Sequence, residues 1–312
     1  MPKRIAIIGC GAIGSLYAAH LARQGSDVWV LTRRPEHARA LNELGLRVTG
    51  THDFHARVHA TPDPAGLPDC EFGIVATKAL QTEQAFAPVA RKFDRGAVLS
   101  AQNGLGGEEI LARLTRGYVI RGTTFMSGTR HTDTHVQYEL DTPTWMGPFE
   151  PTYTPFALVQ ELAALLVAGG LKAMALEDAR PAQWSKLLFN SAVNGVSALT
   201  GLPHSPHFAD RSEISSLGHL LFDLLEEGRR VASALGVGLH DDPWEMNKIG
   251  AQTNHPTSML HDVQHHQSTE VEFLAGAVAR EAARAGVPAP LHTALYGLIK
   301  GREASWTADG GR

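Results

Sequence analysis

A glycine-rich turn near the start of the chain limits its fold more than any other stretch. The short apolar run 5–8 is followed by glycines at positions 9, 11 and 14, spaced G-x-G-x-x-G, and then by a helical pattern over 12–23. The first glycine permits a tight strand-to-helix turn, the second lets a pyrophosphate approach the backbone, and the third lets the helix pack closely on the strand. The helix N-terminus adds N–H groups and partial positive charge. This order predicts a dinucleotide site rather than an ordinary glycine-rich turn.

The whole turn is therefore the predicted cofactor-binding segment, composed of Gly9, Cys10, Gly11, Ala12, Ile13 and Gly14. Cys10 lies between two motif glycines, where a small apolar residue packs well. The chain has only one other cysteine, Cys70. Two cysteines cannot form a disulfide framework and fit a reducing compartment, so we expect a cytoplasmic protein.

Two arginines follow the second predicted strand, residues 27–32. In NAD-preferring sites an acidic side chain at this place binds the adenosine ribose, but here Arg33 and Arg34 stand there. An acid would repel a 2′-phosphate, whereas a guanidinium forms charge-assisted bonds with it. The pattern favours NADP(H) over NAD(H). The alternative is that both arginines are solvated surface residues.

Two polar residues follow later buried strands of the same pattern. Lys78 comes after the run 72–76, and Asn103 comes after the run 97–101. The carboxyl ends of parallel strands form the ligand edge of a doubly wound sheet, so both side chains are expected to meet cofactor or substrate. The alternatives are a loop lysine that caps a helix and a plain Asn-Gly turn.

The predicted secondary structure changes near residue 178. Before it, predicted strands (also 46–49, 55–60, 118–147 and 171–176) alternate with predicted helices (81–92 and 156–168). After it, helical patterns dominate, at 183–199, 212–235, 244–249, 259–266, 271–285 and 291–301. The fold class is therefore α/β: a Rossmann-type dinucleotide-binding domain over 1–178, followed by an all-helical substrate and dimerisation domain over 179–312. The substrate is expected in a cleft between them.

Charge and hydropathy exclude two classes of partner. The 312-residue chain has a net charge of −4, so no general basic field favours nucleic acid or an anionic membrane. The best membrane candidate, 156–176, contains charged residues and a Gly-Gly pair, and a helix followed by a strand explains it better. We therefore expect a small-molecule substrate, neither nucleic acid nor membrane as a partner, and a homodimer, if one forms, through the helical domain.

One predicted helix carries three polar residues at successive turns. Lys186, Asn190 and Asn194 are spaced i, i+4 and i+8, so they share a face that drifts by ~40° per step. A solvated stripe would normally carry Glu and Lys rather than two asparagines. The pattern favours the lining of a cleft over a solvated stripe.

The stretch TSMLHDVQHHQSTEVEF offers Ser258, Asp262 and Glu270 as further candidates. Thr269 and Glu272 also match a capping box, which would place Glu270 in an ordinary first helical turn. His261 and His265 are one helical turn apart, but no third ligand follows at a recognisable spacing, so we expect no metal site.

Six motifs occur together and in order: GCGAIG, TRR, VATKALQ, QNG, WSKLLFNSAVN and SMLHD…STEVEF. Each is weak alone, but the set spans most of the chain and resembles the ketopantoate reductase (2-dehydropantoate 2-reductase) family. The resemblance implies reduction of a 2-keto acid by NADPH, with ketopantoate of pantothenate synthesis as the expected substrate. The alternatives are a related dehydrogenase with another 2-keto or 2-hydroxy acid and a non-catalytic NADP(H) sensor.

The resemblance also implies roles for single residues. Lys186 matches the lysine that protonates the substrate carbonyl, Glu270 the acid that orients the substrate hydroxyl, and Ser258 a contact to its carboxylate. The remaining matches are polar positions around nicotinamide and substrate (Asn103, Asn190, Asn194), the 2′-phosphate reader (Arg33) and a second cofactor-side lysine (Lys78). Gln267, where the family often has an arginine, and His255 depart from the family pattern beside the expected substrate pocket.

Overall fold

The structure, a computed structural model, describes the backbone of residues 2–309 and the side chains of residues 2–306. The described residues form two compact units. The first runs to Gln102 and continues over Gly107–Ala179; the second comprises Asn103–Gly106 and the chain from Arg180 onward. The 103–106 loop thus groups with the second unit. The predicted boundary at 178/179, as the limit of independently folding domains, stays a prediction.

The first unit is built on a large, mostly parallel sheet. Its strands and those of a smaller sheet are, in chain order, β1 (Arg4–Ile8), β2 (Asp27–Leu31), β3 (Leu46–Gly50), β4 (Phe54–Ala56), β5 (His59–Thr61), β6 (Phe72–Val75), β7 (Ala97–Ser100), β8 (Tyr118–Thr124), β9 (Ser127–Thr132), β10 (His135–Leu140), β11 (Thr144–Pro148) and β12 (Ala173–Ala175). The large sheet has the order β12-β11-β8-β7-β6-β1-β2-β5. From β8 to β5 all neighbours are parallel, and β11 joins β8 antiparallel.

Helices cover this sheet because their apolar residues face the buried strands. They are α1 (Ala12–Arg23), α2 (Pro35–Leu44), α3 (Thr82–Phe86), α4 (Gly107–Leu114) and α5 (Phe156–Ala168). Leu16, Tyr17 and Leu21 of α1 pack on Ile5 and Ile7 of β1 in one buried cluster. The segment predicted as helical, 81–92, is helical throughout, but only α3 is an α-helix. The segment continues as a 3-10 helix over Ala87–Phe93, where Pro88 cannot supply a backbone N–H.

A second, four-stranded sheet has the order β4-β3-β10-β9. It corrects one strand prediction. The predicted strand 55–60 is two strands, because β4 pairs antiparallel with β3 whereas β5 pairs parallel with β2 in the large sheet. The strands predicted over 118–147 are present, with β8 and β11 in the large sheet and β9 and β10 in the small one.

The second unit is helical around one central, buried helix. Its helices are α6 (Arg180–Thr200), α7 (Leu217–Ala234), α8 (Pro243–Gly250), α9 (Ser258–Gln264), α10 (Ala275–Ala285) and α11 (Pro290–Asp309). Helix α6 contacts each of the other five. Leu187, Leu188 and Val193 of α6 belong to the core of this unit.

The predicted fold class, a Rossmann-type domain followed by a helical one, is confirmed. Among the described residues, no helix is both long enough and apolar enough to cross a membrane.

Candidate functional site

The glycine turn has the geometry that a dinucleotide requires. Gly9 has a φ of +97°, and a Cβ there would lie 2.6 Å from Thr77 Cγ2. A Cβ on Gly14 would lie 1.9 Å from the Gly9 carbonyl oxygen, so only glycine lets α1 pack on this turn. At Gly11, in contrast, a Cβ would meet no protein atom within 4 Å. Open space at the middle glycine fits the close approach of a pyrophosphate.

The N-terminus of α1 is suited to a negatively charged group. Gly11 is its N-cap and offers no side-chain cap, and the first turn has no acidic residue. The first N–H groups of the helix therefore keep their partial positive charge for a ligand. Cys10 is buried with its Sγ 3.2 Å from Ser15 Oγ, and burial raises the pKa of its thiol to about 11. Cys10 therefore packs as a neutral thiol.

The two arginines after β2 differ in their surroundings. Arg34 pairs with Glu36 and with Asp133 of the β9–β10 turn. Arg33 is exposed, and its side chain makes no ion pair or hydrogen bond with another described residue. Arg33 is thus the guanidinium better placed to receive an external phosphate, whereas Arg34 links α2 to the smaller sheet.

Lys78 lies at the predicted carboxyl edge of the large sheet. It is partly buried and is the N-cap residue of a short 3-10 turn, but its side chain makes no capping hydrogen bond. The sequence pattern does not single out its neighbour across the edge, Gln102. The buried Gln102 amide donates to the Thr77 carbonyl at 3.0 Å and to Thr82 Oγ1 at 2.6 Å. Gln102 therefore ties the ends of β6 and β7 together.

In the second unit, the structure brings together three predicted residues that are distant in sequence. Lys186 Nζ donates to Asn103 Oδ1 at 2.8 Å. Asn103 Nδ2 donates to Glu270 Oε2 at 3.3 Å. The Asn103 amide therefore links an ammonium on α6 to a carboxylate that precedes α10, and does more than form an Asn-Gly turn.

The Lys186 ammonium is electrostatically tuned toward neutral pH. Burial disfavours its charged form, and the nearby Glu270 carboxylate only partly offsets this, so the pKa of Lys186 falls to about 8. A lysine with this pKa can hold a proton at neutral pH and release it at modest cost. Such a group serves as a general acid.

Asn190 and Asn194 continue the face of α6 that begins at Lys186. Both are buried, which excludes the solvated stripe. Neither side chain makes a hydrogen bond with another described residue. Their amide atoms are not among the fully buried side-chain atoms that lack a partner, so each amide is still accessible to water or to a ligand.

Ser258 and the two departures from the family pattern lie outside this hydrogen-bonded group. Ser258 is exposed in the first turn of α9, whose N-cap is Thr257, and α9 packs on α6. Gln267 is exposed, and its N–H donates to the Asp262 carbonyl at 2.8 Å. His255 is exposed, and its backbone pairs with that of His204.

The turn that holds Glu270 corrects a prediction of the sequence. The predicted helix 271–285 begins only at Ala275, and the Thr269–Glu272 capping box does not form. Thr269 instead donates from its N–H and its hydroxyl to Glu303 Oε1, at 2.8 and 2.7 Å. Glu272 accepts from Tyr296 and Arg280. Glu270 is therefore held in a turn that is fixed on both sides by α10 and α11.

Gln183 and Gly104, two residues of the helical unit that the sequence pattern does not single out, also contribute to this arrangement. Gln183 Nε2 donates to the Gly104 carbonyl at 3.2 Å, and the Leu105 N–H donates to the Phe273 carbonyl at 3.0 Å. Gln183 could have been found, since it is three residues before Lys186 and follows the same helical face. The contact of Gly104 depends on tertiary structure.

No group of three or more His, Cys, Asp or Glu side chains in the described chain is arranged to hold a metal ion. His261 of α9 and His265, the C-cap residue of this helix, are both exposed and stack with ring centroids 4.0 Å apart; His265 Nδ1 lies 2.7 Å from the His261 carbonyl oxygen.

The amino-acid sequence matches the two models of one protein family. Residues 5–151 match the model described as ketopantoate reductase PanE/ApbA, and residues 178–303 match its C-terminal model. A 2-dehydropantoate 2-reductase from Archaeoglobus fulgidus is 30% identical over 308 residues, which cover 97% of this chain and 98% of that protein.

Solved structures give the same result. A PanE/ApbA family ketopantoate reductase from Ralstonia eutropha superposes with a TM-score of 0.84 at 26% identity, covering 97% of this chain and 99% of that one. D-mandelate dehydrogenase, solved with NADH and anilino(oxo)acetate, has a TM-score of 0.84 with the same coverages at 21% identity, which shows a shared fold. The chain therefore belongs to the ketopantoate reductase family and is an NADP-dependent oxidoreductase.

Proposed function

We propose that the protein reduces a 2-keto acid with NADPH, and that this acid is 2-dehydropantoate, reduced to pantoate for pantothenate synthesis. The observation that carries the proposal is the Lys186–Asn103–Glu270 group, in which a lysine of lowered pKa is hydrogen-bonded through one amide to a carboxylate. Family membership supports the substrate class.

The first unit would hold the cofactor. The open space at Gly11 and the uncapped N-terminus of α1 suit the pyrophosphate. Arg33 would receive the 2′-phosphate, and Lys78 would contribute a second positive charge near the cofactor. When bound, NADPH supplies the hydride for the substrate carbonyl carbon.

Lys186 would supply the proton. As the carbonyl oxygen gains negative charge, the ammonium stabilises it and then donates its proton, which leaves a neutral amine that solvent reprotonates. Asn103 Oδ1 keeps one ammonium N–H in a fixed direction. Because Nδ2 of the same amide donates to Glu270, the acid and the carboxylate hold each other's orientation.

The other polar residues would bind the substrate. Glu270 would accept a hydrogen bond from the substrate hydroxyl, and Ser258 would donate to its carboxylate. Asn190 and Asn194 would add neutral donors and acceptors without a further charge. A non-catalytic sensor has no need of a proton donor with a lowered pKa, so we favour the enzyme.

A second candidate is the reduction of a different 2-keto acid by the same groups. Gln267 and His255, which depart from the family pattern, are both exposed and could alter the choice of substrate. A homodimer through the helical unit and a cytoplasmic location stay predictions.

An NADPH-oxidation assay against a panel of 2-keto acids tests the proposal. Ketopantoate should give the highest kcat/KM, with pantoate as the product by mass spectrometry. A higher kcat/KM for another 2-keto acid would select the second candidate. No turnover of any 2-keto acid would refute both.

A further inference from the structure

The 103–106 loop is fixed to the helical unit although the chain on both sides of it belongs to the first unit. It leaves β7, which ends at Ser100, and returns to α4, which begins at Gly107. Within four residues it makes a hydrogen bond from Leu105 N–H to the Phe273 carbonyl and accepts one at the Gly104 carbonyl from Gln183. Leu105 also packs against the core of the helical unit.

Gly104 is the point of closest approach. Its φ is +89°, and a Cβ built on it would lie 2.1 Å from the Phe273 carbonyl oxygen and 2.7 Å from the carbonyl carbon. No side chain can be accommodated there unless the loop moves away from the turn over 270–274. At Gly106, two residues on, a Cβ would be 3.4 Å from the Phe273 ring, which is an ordinary contact.

The residue next to Gly104 is Asn103, whose amide is used on both sides. Its oxygen accepts from Lys186 at 2.8 Å, and its nitrogen donates to Glu270 at 3.3 Å. Side-chain hydrogen bonds weaken quickly beyond about 3.5 Å, so the second bond tolerates only a small displacement of the loop.

We propose that Gly104 and Gln183 are positioning residues, which dock the 103–106 loop on the 270–274 turn and thereby hold Asn103 between Lys186 and Glu270. Gly104 permits the close approach of the two backbones, and Gln183, on the same helix as Lys186, fixes the loop from the side of α6. The catalytic meaning of this arrangement rests on the proposed function, whereas the placement of the Lys186 amine does not.

A double-mutant cycle in the full-length protein tests whether Gly104 acts through Asn103. Gly104→Ala and Asn103→Ala should each lower kcat by about tenfold or more, and the double variant should be no slower than Asn103→Ala, since coupled residues are not additive. Multiplied losses in the double variant would contradict the proposal.

Gly236→Ala is the matched control. Gly236 also has a positive φ, +71°, but a Cβ there would meet no atom within 4 Å. This control therefore measures the cost of backbone strain alone, and its kcat should stay near that of the wild type. If Gly104→Ala fails to fold, Gln183→Met replaces it in the cycle, because it removes the donor to the Gly104 carbonyl at nearly constant volume.

Competitive amine labelling with acetic anhydride, read by mass spectrometry across pH, gives a measurement that needs no turnover. Gly104→Ala, Gln183→Met and Asn103→Ala should share one titration midpoint of Lys186, which differs from that of the wild type and of Gly236→Ala. A wild-type midpoint in Gly104→Ala and Gln183→Met would overturn the proposal. If the wild type oxidises no NADPH with any 2-keto acid, the proposed function fails, and the labelling still decides the role of the loop.

Discussion

At the scale of single residues, the surroundings of Lys186 set the pH dependence of the reaction. Its pKa of about 8 means that the ammonium predominates below this pH and the amine above it. For reduction, kcat/KM for the keto acid should be constant below about pH 8 and fall about tenfold per pH unit above it, because the proton donor is lost. For oxidation, kcat/KM for the hydroxy acid should instead rise toward pH 8 and level off.

Steady-state rates across pH check this, measured at saturating NADPH for reduction and at saturating NADP⁺ for oxidation. Opposite slopes in the two directions are the signature of one acid–base group. A reduction rate that is constant from pH 6 to pH 10 would contradict the assignment of Lys186.

Arg33 and Arg34 make a matched pair for the cofactor preference. Arg33→Ala should raise the KM for NADPH about 10- to 100-fold more than that for NADH, since a hydrogen-bonded charge pair to the 2′-phosphate is lost. Arg34 is already paired with Asp133 and Glu36, so Arg34→Ala should change the NADPH-to-NADH ratio much less. Equal effects of Arg33→Ala on both cofactors would remove Arg33 from this role.

The sequence predicts such residues well where a motif fixes the backbone. The spacing of the glycines predicts three different uses, and the surroundings of Gly9, Gly11 and Gly14 match them. The sequence cannot predict that Asn103 links Lys186 to Glu270. Asn103 is separated from Lys186 by 83 positions and from Glu270 by 167 positions along the chain. The local pattern alone also leaves Arg33 and Arg34 equivalent, because the partner of Arg34, Asp133, comes from a distant hairpin; only the family resemblance selects Arg33.

At the scale of elements, the turn between β1 and α1 uses one glycine for packing and another for cofactor binding. Gly14→Ala would place a Cβ 1.9 Å from the Gly9 carbonyl oxygen, so it should lower the free energy of unfolding by roughly 1–3 kcal/mol. Gly11→Ala meets no protein atom and has an allowed φ of −77°. It should lower the free energy of unfolding by no more than about 1 kcal/mol, the cost of Ala in place of Gly at an N-cap, and raise the Kd for NADPH about tenfold or more, because the methyl group occupies the space for the pyrophosphate.

Urea unfolding and NADPH fluorescence titration measure the two effects. If Gly11→Ala bound NADPH as tightly as the wild type, the pyrophosphate would have to lie elsewhere.

A buried polar group joins three helices of the second unit. The Glu227 carboxylate on α7 accepts from the N–H groups of Leu291 and His292 at the start of α11, and from His292 Nδ1 at 2.9 Å. His292 Nε2 lies 3.1 Å from Ser191 Oγ on α6. Burial alone would raise the pKa of Glu227, but the hydrogen bonds outweigh it and hold this pKa below its usual value. The carboxylate therefore stabilises the packing of the helix that carries Lys186.

Glu227→Gln should lower the free energy of unfolding by about 1–3 kcal/mol, because the bonds to a charged acceptor are weakened. Glu226→Gln, which alters a partly exposed pair with Arg229, is the control and should cost less than about 1 kcal/mol. Since the pKa of Glu227 is lowered on folding, its contribution is complete above the carboxyl's unfolded-state pKa and is lost as the pH falls through the folded one. Urea unfolding at neutral and acidic pH measures this. The free energies of unfolding of Glu227→Gln and Glu226→Gln should differ at neutral pH and become similar at acidic pH, where Glu227 is protonated. A difference that does not change with pH would contradict this role.

Elements with a strong local pattern are predictable, and those set by distant partners are not. The sequence predicts α1 (Ala12–Arg23) and α5 (Phe156–Ala168) with their observed bounds, because apolar periodicity and glycine or proline breaks agree. The predicted helix 271–285 is wrong at its start, because Thr269 is hydrogen-bonded to Glu303, 34 residues later, instead of capping a helix.

At the scale of the whole molecule, the fold class follows from the alternation of strands and helices and its end near residue 178. The smaller sheet could not be predicted, since it requires β3 to pair with β10, more than eighty residues later. The sequence predicts the loop 103–106 as part of the first domain, yet the loop groups with the helical unit and has contacts with Gln183 and Phe273.

The central claim is that Lys186 gives the proton that completes reduction of a 2-keto acid. The most direct measurement is a single turnover, in which the enzyme with bound NADPH is mixed with ketopantoate and the loss of NADPH absorbance is followed. Lys186→Ala should bind NADPH as the wild type does and react about 10²- to 10⁴-fold more slowly. A Lys186→Ala variant that reacts at the wild-type rate would contradict the account.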